Sequence, residues 1–150
     1  MLGLLALSRR PAGEVVMLDV IAREEDIPVS FLGKIFQTLS KAGIVKSARG
    51  MGGGFALEKP PAEISVLSVV EAIEGPIAFG RCLDETEGCE NSTGCALCGL
   101  LAEAQDRVKE VFAKTTITQL ASRHLPKGLI RQARENTRGP IIPLSVEVLP

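Results

Sequence analysis

The sequence has no Trp or Tyr, five Phe and a single His, His124, in 150 residues. With so few aromatic rings the core must be built from Leu, Ile, Val and Ala, which favours helices. The apolar run at the start covers about seven residues, far short of the roughly 20 that span a bilayer. Its arginines follow that run, the reverse of a secretory signal. We therefore expect a cytoplasmic globular protein with no membrane segment.

Acidic residues are absent between Ile27 and Leu57, although the net charge of the whole chain is −1. Lys34, Lys41, Lys46 and Arg49 lie inside this window. The acidic residues concentrate instead in residues 61–100, which hold seven of them and one basic residue. The window could meet a polyanion even though the chain is mildly acidic overall. A solvated basic face is the alternative.

Two short helices joined by a tight turn are predicted inside and just before this window. Leu18, Ile21 and Ala22 mark one face of the first, which ends in the 24–28 turn. The second runs from about Ser30 to Ala42, with Gly43 suited to end it. Its inward positions are Leu32, Ile35, Phe36 and Leu39, and its outward positions are Ser30, Lys34, Gln37 and Lys41. This pattern is typical of a helix-turn-helix with a polar, basic outer face.

A glycine-rich hairpin follows the second helix. The strands are predicted at Ile44–Ala48 and Phe55–Leu57, and residues 49–54 between them contain four glycines and one arginine. That composition is typical of the wing of a winged helix. The alternative, a phosphate-binding nucleotide loop, is disfavoured because a Walker loop needs Lys-Ser/Thr after its last glycine, where Phe55-Ala56 stand.

Helices are again predicted after the hairpin. One spans Val66–Glu74 with Ser65 as its cap, a long one spans Leu97–Lys114, and a short one spans Thr118–Arg123. Apolar residues step along the long helix as in a coiled coil, which favours a dimer seam over a core-facing helix: Leu97, Leu101, Ala104, Val108 and Val111. The expected fold is mostly α with a small β-hairpin: a winged helix-turn-helix domain (1–78), a cysteine loop (79–98), a dimerisation helix region (99–125) and a C-terminal arm (126–150).

Four cysteines, Cys82, Cys89, Cys95 and Cys98, lie within one acid-rich loop. Reduced thiolates clustered in this way can close around a soft metal centre. Disulfides are disfavoured by the expected compartment. A four-thiolate zinc site usually has two short Cys-x2-Cys pairs, and only Cys95–Cys98 has that form, so the spread favours an iron–sulfur cluster. Zinc remains an alternative.

Catalytic roles find little support in the sequence. A redox protein using the Cys95–Cys98 pair would place it beside a βαβ unit, which this region lacks. His124 has no Ser or Cys partner in a motif. We therefore expect no enzyme, no catalytic residue and no small-molecule substrate.

From Met1 to about Ala121 the sequence resembles the IscR–NsrR–RirA family of iron–sulfur transcription regulators (the Rrf-two type). The resemblance is carried by residues 30–32, 39–45 and 69–76, by the three-cysteine loop, and above all by the string Arg49-Gly50-Met51-Gly52-Gly53-Gly54-Phe55. It implies a winged helix, a dimer formed through the helix after the cysteine loop, and a cluster that controls operator binding. Cys82, Cys89 and Cys95 match the three cluster cysteines of the family.

The sequence departs from the family at three places. Cys98 stands where IscR-like members carry a His ligand, so an all-thiolate site is expected, as [2Fe–2S] or [4Fe–4S]. The nitric-oxide-sensing branch uses an acidic residue near the N-terminus, in a segment that would precede Met1. Gly33 stands where IscR-like proteins carry a Glu that contacts bases, so their operator sequence should not be transferred.

The expected function is a transcription regulator, most often a repressor in this family, whose operator binding responds to redox, iron or nitric oxide. Lys34 and Gln37 are candidates for base edges and Lys41 for phosphate, while Arg49 would reach phosphate or a narrow minor groove. The full set of expected DNA contacts is Ser30, Phe31, Lys34, Gln37, Lys41, Arg49, Gly52 and Gly53. The expected partners are double-stranded DNA and a second copy of the chain.

Overall fold

The computed structural model describes residues 1–48, 50, 53–84, 88–90 and 94–122. The fold is mostly helical with one two-stranded antiparallel hairpin, as the sequence predicts. Its elements are, in chain order, α1 (Leu2–Ser8), α2 (Leu18–Glu24), α3 (Val29–Lys41), β1 (Val45–Ala48), β2 (Gly54–Leu57), α4 (Val66–Glu74), a short 3-10 turn (Arg81–Leu83), α5 (Ala96–Lys114) and α6 (Ile117–Ser122).

Helix α3 is amphipathic, and its end is set by glycine. Leu32, Phe36 and Leu39 are buried on its inner side. Gly43 has a φ of +68°, the left-handed conformation that glycine adopts without steric cost. The N–H of Ile44 donates to the Leu39 carbonyl at 3.0 Å and the N–H of Gly43 to the Ser40 carbonyl at 3.1 Å. This Schellman arrangement confirms the predicted end of the helix.

The turn between α2 and α3 is short and tied to α2. The N–H of Ile27 donates to the Ala22 carbonyl at 2.9 Å. Among the described residues Asp26 alone has a positive φ without being glycine, at 54°, and Asp tolerates that conformation better than most residues. Pro28 then precedes the first residue of α3. The two helices therefore form the predicted helix-turn-helix.

The hairpin pairs Val45 with Leu57 and Ala48 with Gly54. The first strand begins one residue later than predicted and the second begins one residue earlier. A third segment joins the hairpin, because the N–H and carbonyl of Val16 exchange hydrogen bonds of 2.9 Å with those of Phe55. The strand β2 therefore lies between β1 and Val16, two residues before α2. The hydrogen bonds of Val16 attach the wing to the start of the helix-turn-helix.

One apolar core connects these elements, and aliphatic side chains dominate it as the composition predicts. The ring of Phe36 meets that of Phe55 edge to face, with centroids 5.0 Å apart and an interplanar angle of 76°. This contact joins α3 to the hairpin. Ile117, from the start of α6, is fully buried in the same core.

The helices after the hairpin follow the prediction closely. The N–H of Ser68 donates to Oγ of Ser65 at 3.1 Å, which confirms the predicted cap of α4. Helix α5 has 19 residues. No helix in the described part of the chain is long and apolar enough to cross a membrane. The predicted arm (126–150), Arg123 and His124 lie outside the described residues.

Candidate DNA interface and cysteine site

The outer face of α3 presents the polar side chains that the sequence assigned to DNA. Ser30, Lys34, Gln37 and Lys41 are all exposed, at three- and four-residue spacing on one side of the helix. The opposite side packs into the core. The face is therefore free to enter a groove, and it carries two lysines without a carboxylate on the same helix.

Two arginines that follow α1 form ion pairs with carboxylates at the end of α2 and in the turn before α3. Arg9 Nη1 lies 3.1 Å from Oε1 of Glu25, and Arg10 forms a second ion pair with Glu24. The hydrogen bond and charge of Glu24 raise the pKa of the Arg10 guanidinium above its usual value. Exposed pairs of this kind add little stability. Their consequence here is electrostatic, because they offset two negative charges next to the basic helix.

Two apolar side chains flank this face at the first turn of α3. Phe31 is 59% exposed and Val29 is 47% exposed, although both are large and hydrophobic. Phe31 is among the expected DNA contacts, and Val29 is not. Val29 lies one turn before Leu32, in line with the core stripe of α3, so the spacing of apolar residues gave no signal of its exposure. Apolar groups at the start of a recognition helix suit contact with thymine methyl groups.

The tip of the wing is described only in part. Gly50 has a φ of +113°, and the N–H of Gly53 donates to its carbonyl at 2.9 Å. Arg49 and Gly52, both expected DNA contacts, lie outside the described residues. The loop connects two antiparallel strands, and β2 runs into the turn at Pro60 rather than into a helix. This topology differs from a phosphate-binding loop, which opens a helix.

The cysteines are placed at the base of α5 and in the segment before it. Cys82 lies in the 3-10 turn, Cys95 immediately precedes α5, Cys98 lies in its first turn, and Cys89 is exposed in the segment between them. All four are free thiols. Two of the four therefore lie at the start of α5, Cys95 as its N-cap residue and Cys98 in its first turn.

Cys98 and Cys82 are the two half-buried thiols, and Cys89 and Cys95 are exposed. A hydrogen bond with the Cys82 thiol raises the pKa of Cys98, and partial burial and the charges of Cys82, Cys95 and Cys89 raise it further. Among the residues that the structure describes, no three potential ligands stand close enough to hold a metal ion as they are. The described residues thus bring Cys82 toward Cys98 and leave Cys89 and Cys95 exposed. Four soft sulfur donors fit an iron–sulfur cluster or zinc.

Helix α5 has two apolar sides. Cys98, Leu101 and Gln105 face the rest of the chain and are buried or half-buried. Leu97, Leu100 and Val111, which we call the apolar stripe, are 57–63% exposed. Of the residues of the predicted seam, Leu97 and Val111 are exposed in the single chain, whereas Leu101 and Val108 pack partly against their own chain. Leu100, which is not part of the predicted seam, is exposed beside Leu97.

A helix-turn-helix with an exposed basic second helix, followed by a wing, defines a winged-helix DNA-binding protein. The sequence profile of the Rrf2 family, described as iron-dependent transcriptional regulator, matches residues 2–123. The chain belongs to this family, and the resemblance deduced from its motifs is confirmed.

Individual relatives agree with the family assignment. A putative HTH-type transcriptional regulator, rrf2-like, of Rhodobacter capsulatus is 34% identical over 109 residues, which are 71% of this chain and 67% of that protein. The HTH-type transcriptional regulator IscR of Pectobacterium carotovorum is 33% identical over 110 residues, 73% of this chain and 66% of that protein. The structure of CymR, the global cysteine regulator of B. subtilis, matches with a TM-score of 0.63 and 28% identity, covering 82% of this chain and 92% of CymR.

These similarities establish the general function. The chain is a DNA-binding transcription regulator with a winged-helix fold, and its relatives are regulators rather than enzymes. The redox-enzyme alternative is thereby removed.

Proposed function

We propose that this regulator binds a palindromic operator as a homodimer, with its affinity controlled by an iron–sulfur cluster held by Cys82, Cys89, Cys95 and Cys98. The observation that carries the proposal is the placement of the thiols: Cys95 and Cys98 lie at the start of α5, and the 3-10 turn that bears Cys82 packs against that helix. The similarity to IscR supports a cluster, and the all-sulfur donor set fits one. Such a regulator would act in the cytoplasm, where thiols stay reduced.

The position of the cysteines supports a route from the sensor to DNA. A bound cluster would link the cysteines, and the presence or charge of that cluster would change with iron, redox or nitric-oxide status. Cys95 and Cys98 lie where α5 begins, and the apolar stripe lies on the same helix. A change in residues 79–98, which we call the cysteine segment, would therefore move α5 against α5 of the second copy in the dimer. That movement would alter the spacing of the two α3 helices. Because that spacing must match the half-sites, operator affinity would change, most simply as repression or its release.

In DNA, α3 would lie in the major groove with its first turn at the base edges. Lys34 and Gln37 suit hydrogen bonds to bases, and Lys41, near the end of the helix, suits phosphate. Phe31 and Val29 add apolar surface for thymine methyl groups. At the wing, Arg49 would contact phosphate or the minor groove, and Gly52 and Gly53 would allow close approach of the backbone.

Substituting the two lysines of α3 should weaken DNA binding in different ways. The operator can be obtained by selection from random DNA. Lys41→Ala should weaken binding to this operator and to unrelated DNA alike, and should reduce the slope of log affinity against log salt concentration by about one. Lys34→Ala should cost ~1–3 kcal/mol on the operator and lower the preference for it over unrelated DNA. Fluorescence anisotropy at several salt concentrations measures both effects.

Lys59→Ala is the matched control, since Lys59 is exposed at the end of the hairpin away from the tip. It should leave the salt slope and the preference nearly unchanged. An equal effect of all three substitutions would mean that only the overall charge matters, and would remove α3 from the groove.

Val111→Asp should convert the dimer into a monomer. Val111 is 57% exposed in the single chain, and a carboxylate at an apolar dimer seam would be buried without a partner. Ala113→Asp is the matched control, because Ala113 is exposed two residues along the same helix and points away from the apolar stripe. Sedimentation equilibrium gives the mass of each variant. A dimeric Val111→Asp protein would place the interface elsewhere.

A further inference from the structure

Gln105 is the single polar residue that is buried among those the structure describes, with 8% of its surface exposed. Its side-chain Oε1 accepts a hydrogen bond of 3.1 Å from the backbone N–H of Phe79. The two residues are separated by 26 positions in the sequence. The bond joins the middle of α5 to the start of the cysteine segment. Because a buried polar group is costly to leave without its partner, this bond fixes where the chain passes over α5.

The chain continues from Phe79 along one side of α5. Cys98, Leu101 and Gln105 are spaced by three and four residues, so they share a face of the helix. A Cβ placed on Gly80 would lie 3.1 Å from Cδ1 of Leu101 and 3.6 Å from Sγ of Cys82. Gly80 has an extended φ of −171°, which any residue can adopt, so the glycine reflects a close approach to α5. The 3-10 turn that bears Cys82 packs against α5, and the Cys82 thiol is within hydrogen-bonding reach of Cys98 in the first turn of that helix.

We propose that Gln105 is a positioning residue that holds Cys82 beside Cys98, so that α5 carries a prearranged pair of thiols before any metal is bound. The inference deepens the proposed cluster site, on which its biological meaning rests. It divides the four ligands into two kinds. Cys82 and Cys98 are brought together by the fold, whereas Cys89 and Cys95 are exposed and would close the site when the group binds.

The physical advantage of such a pair is entropic. Bringing two residues of one chain together costs conformational entropy that grows with the length of the loop between them. The Gln105–Phe79 bond and the contact of Gly80 with Leu101 meet that cost during folding, in the absence of metal. The Gln105–Phe79 bond also ties the start of the cysteine segment to the middle of α5, so that changes at the thiols reach the helix that bears the apolar stripe.

The pair can be tested in metal-free protein in which Cys89→Ser and Cys95→Ser leave only Cys82 and Cys98. Dibromobimane, a short bifunctional thiol reagent, becomes fluorescent when both of its arms have reacted with thiols. The rate at which fluorescence increases therefore reports how often the two thiols are adjacent. Single alkylation is followed separately by mass. In this background Gln105→Leu, which keeps the shape and removes the acceptor, should slow cross-linking about tenfold. Gln105→Glu keeps an acceptor oxygen and should retain most of the rate.

Gly80→Val provides an independent variant that leaves Gln105 untouched. Its side chain would meet Leu101 and push Cys82 from α5, so cross-linking should slow as well. It also keeps the test decisive if Gln105→Leu loses its helical circular dichroism. Slower cross-linking in Gly80→Val together with a retained rate in Gln105→Glu supports the inference. Unchanged rates in Gln105→Leu, or a loss in Gln105→Glu equal to that of folded Gln105→Leu, would overturn it.

The outcome is separable from that of the proposed function. Iron and sulfide are measured on the four-cysteine protein, and cross-linking on the metal-free two-cysteine protein. A chain that binds no cluster can still show the prearranged pair. If the four-cysteine protein binds a cluster but Gln105→Leu does not alter cross-linking in the two-cysteine protein, the proposed function stands and only this inference fails.

Discussion

Gly54→Ala should destabilise the protein by ~3 kcal/mol, the upper range for forcing extra atoms into a packed site. A Cβ at this position would lie 2.2 Å from the carbonyl oxygen of Val16, 2.6 Å from its carbonyl carbon and 2.9 Å from the nitrogen of Met17. These are backbone atoms, which cannot rotate away as the tip of a side chain can. Either β2 must move from Val16, breaking the hydrogen bonds with Phe55, or the start of α2 must shift. Urea denaturation measures the loss as a lower midpoint with an unchanged slope.

Gly99→Ala is the matched control for this prediction. Gly99 lies inside α5, and a Cβ there would meet nothing within 4 Å. Because glycine in a helix costs roughly 0.5–1 kcal/mol relative to alanine, this substitution should raise the midpoint. In the absence of denaturant, folded Gly54→Ala protein should also bind the operator more weakly, because the wing would be displaced from α3. An unchanged midpoint for Gly54→Ala would mean that the wing does not pack on Val16.

Cys98→Ala should abolish cluster binding. Wild-type protein reconstituted anaerobically should contain iron and sulfide and absorb visible light, and the alanine variant should lose both. Removing a partner outside the ligand shell already costs about 10–100-fold in affinity, so the loss of a ligand should exceed about 100-fold. The variant should then bind the operator with one affinity, whether or not iron and sulfide are supplied. Iron analysis, sulfide analysis and the visible spectrum check the result.

Cys98→His is the informative companion, because histidine ligates iron in place of cysteine in some clusters and raises their potential. It should retain a cluster with an altered spectrum and a higher potential. Colourless wild-type protein that contains zinc and no iron would contradict the proposal and favour the structural zinc site. A cluster that survives unchanged in Cys98→Ala would leave three cysteines and an unknown fourth ligand.

The helices and the wing were largely predictable because their signals are local. The three- and four-residue apolar spacing of α3, Gly43 after it and Ser65 before α4 each act within a few residues. The predicted bounds therefore differ from the structure by one or two residues. The motif string around the wing was specific enough to indicate the family that the comparisons confirmed.

The seam of α5 shows where local signals end. A heptad pattern marks which residues are apolar but not which neighbour covers them. Leu101 and Val108 are partly covered by their own chain, so the exposed stripe is turned toward Leu100. Val29 was missed for a related reason, since an apolar residue at the edge of a helix pattern is normally assigned to the core.

The sequence by itself determined the class of this protein: a helix-turn-helix whose second helix is basic and free of acidic residues, a glycine wing, and four cysteines at the approach to a long helix and in its first turn. The tertiary structure decided how these parts are joined. It showed that Gly54 is required by the backbone of Val16, that Gln105 holds Phe79 across 26 residues, and that Cys98 lies beside Cys82. These contacts join residues far apart in the chain, and periodicity and composition carry no record of such pairs. The proposed sensor depends on them, because in that proposal the cysteines act on DNA through the helix to which the fold attaches them.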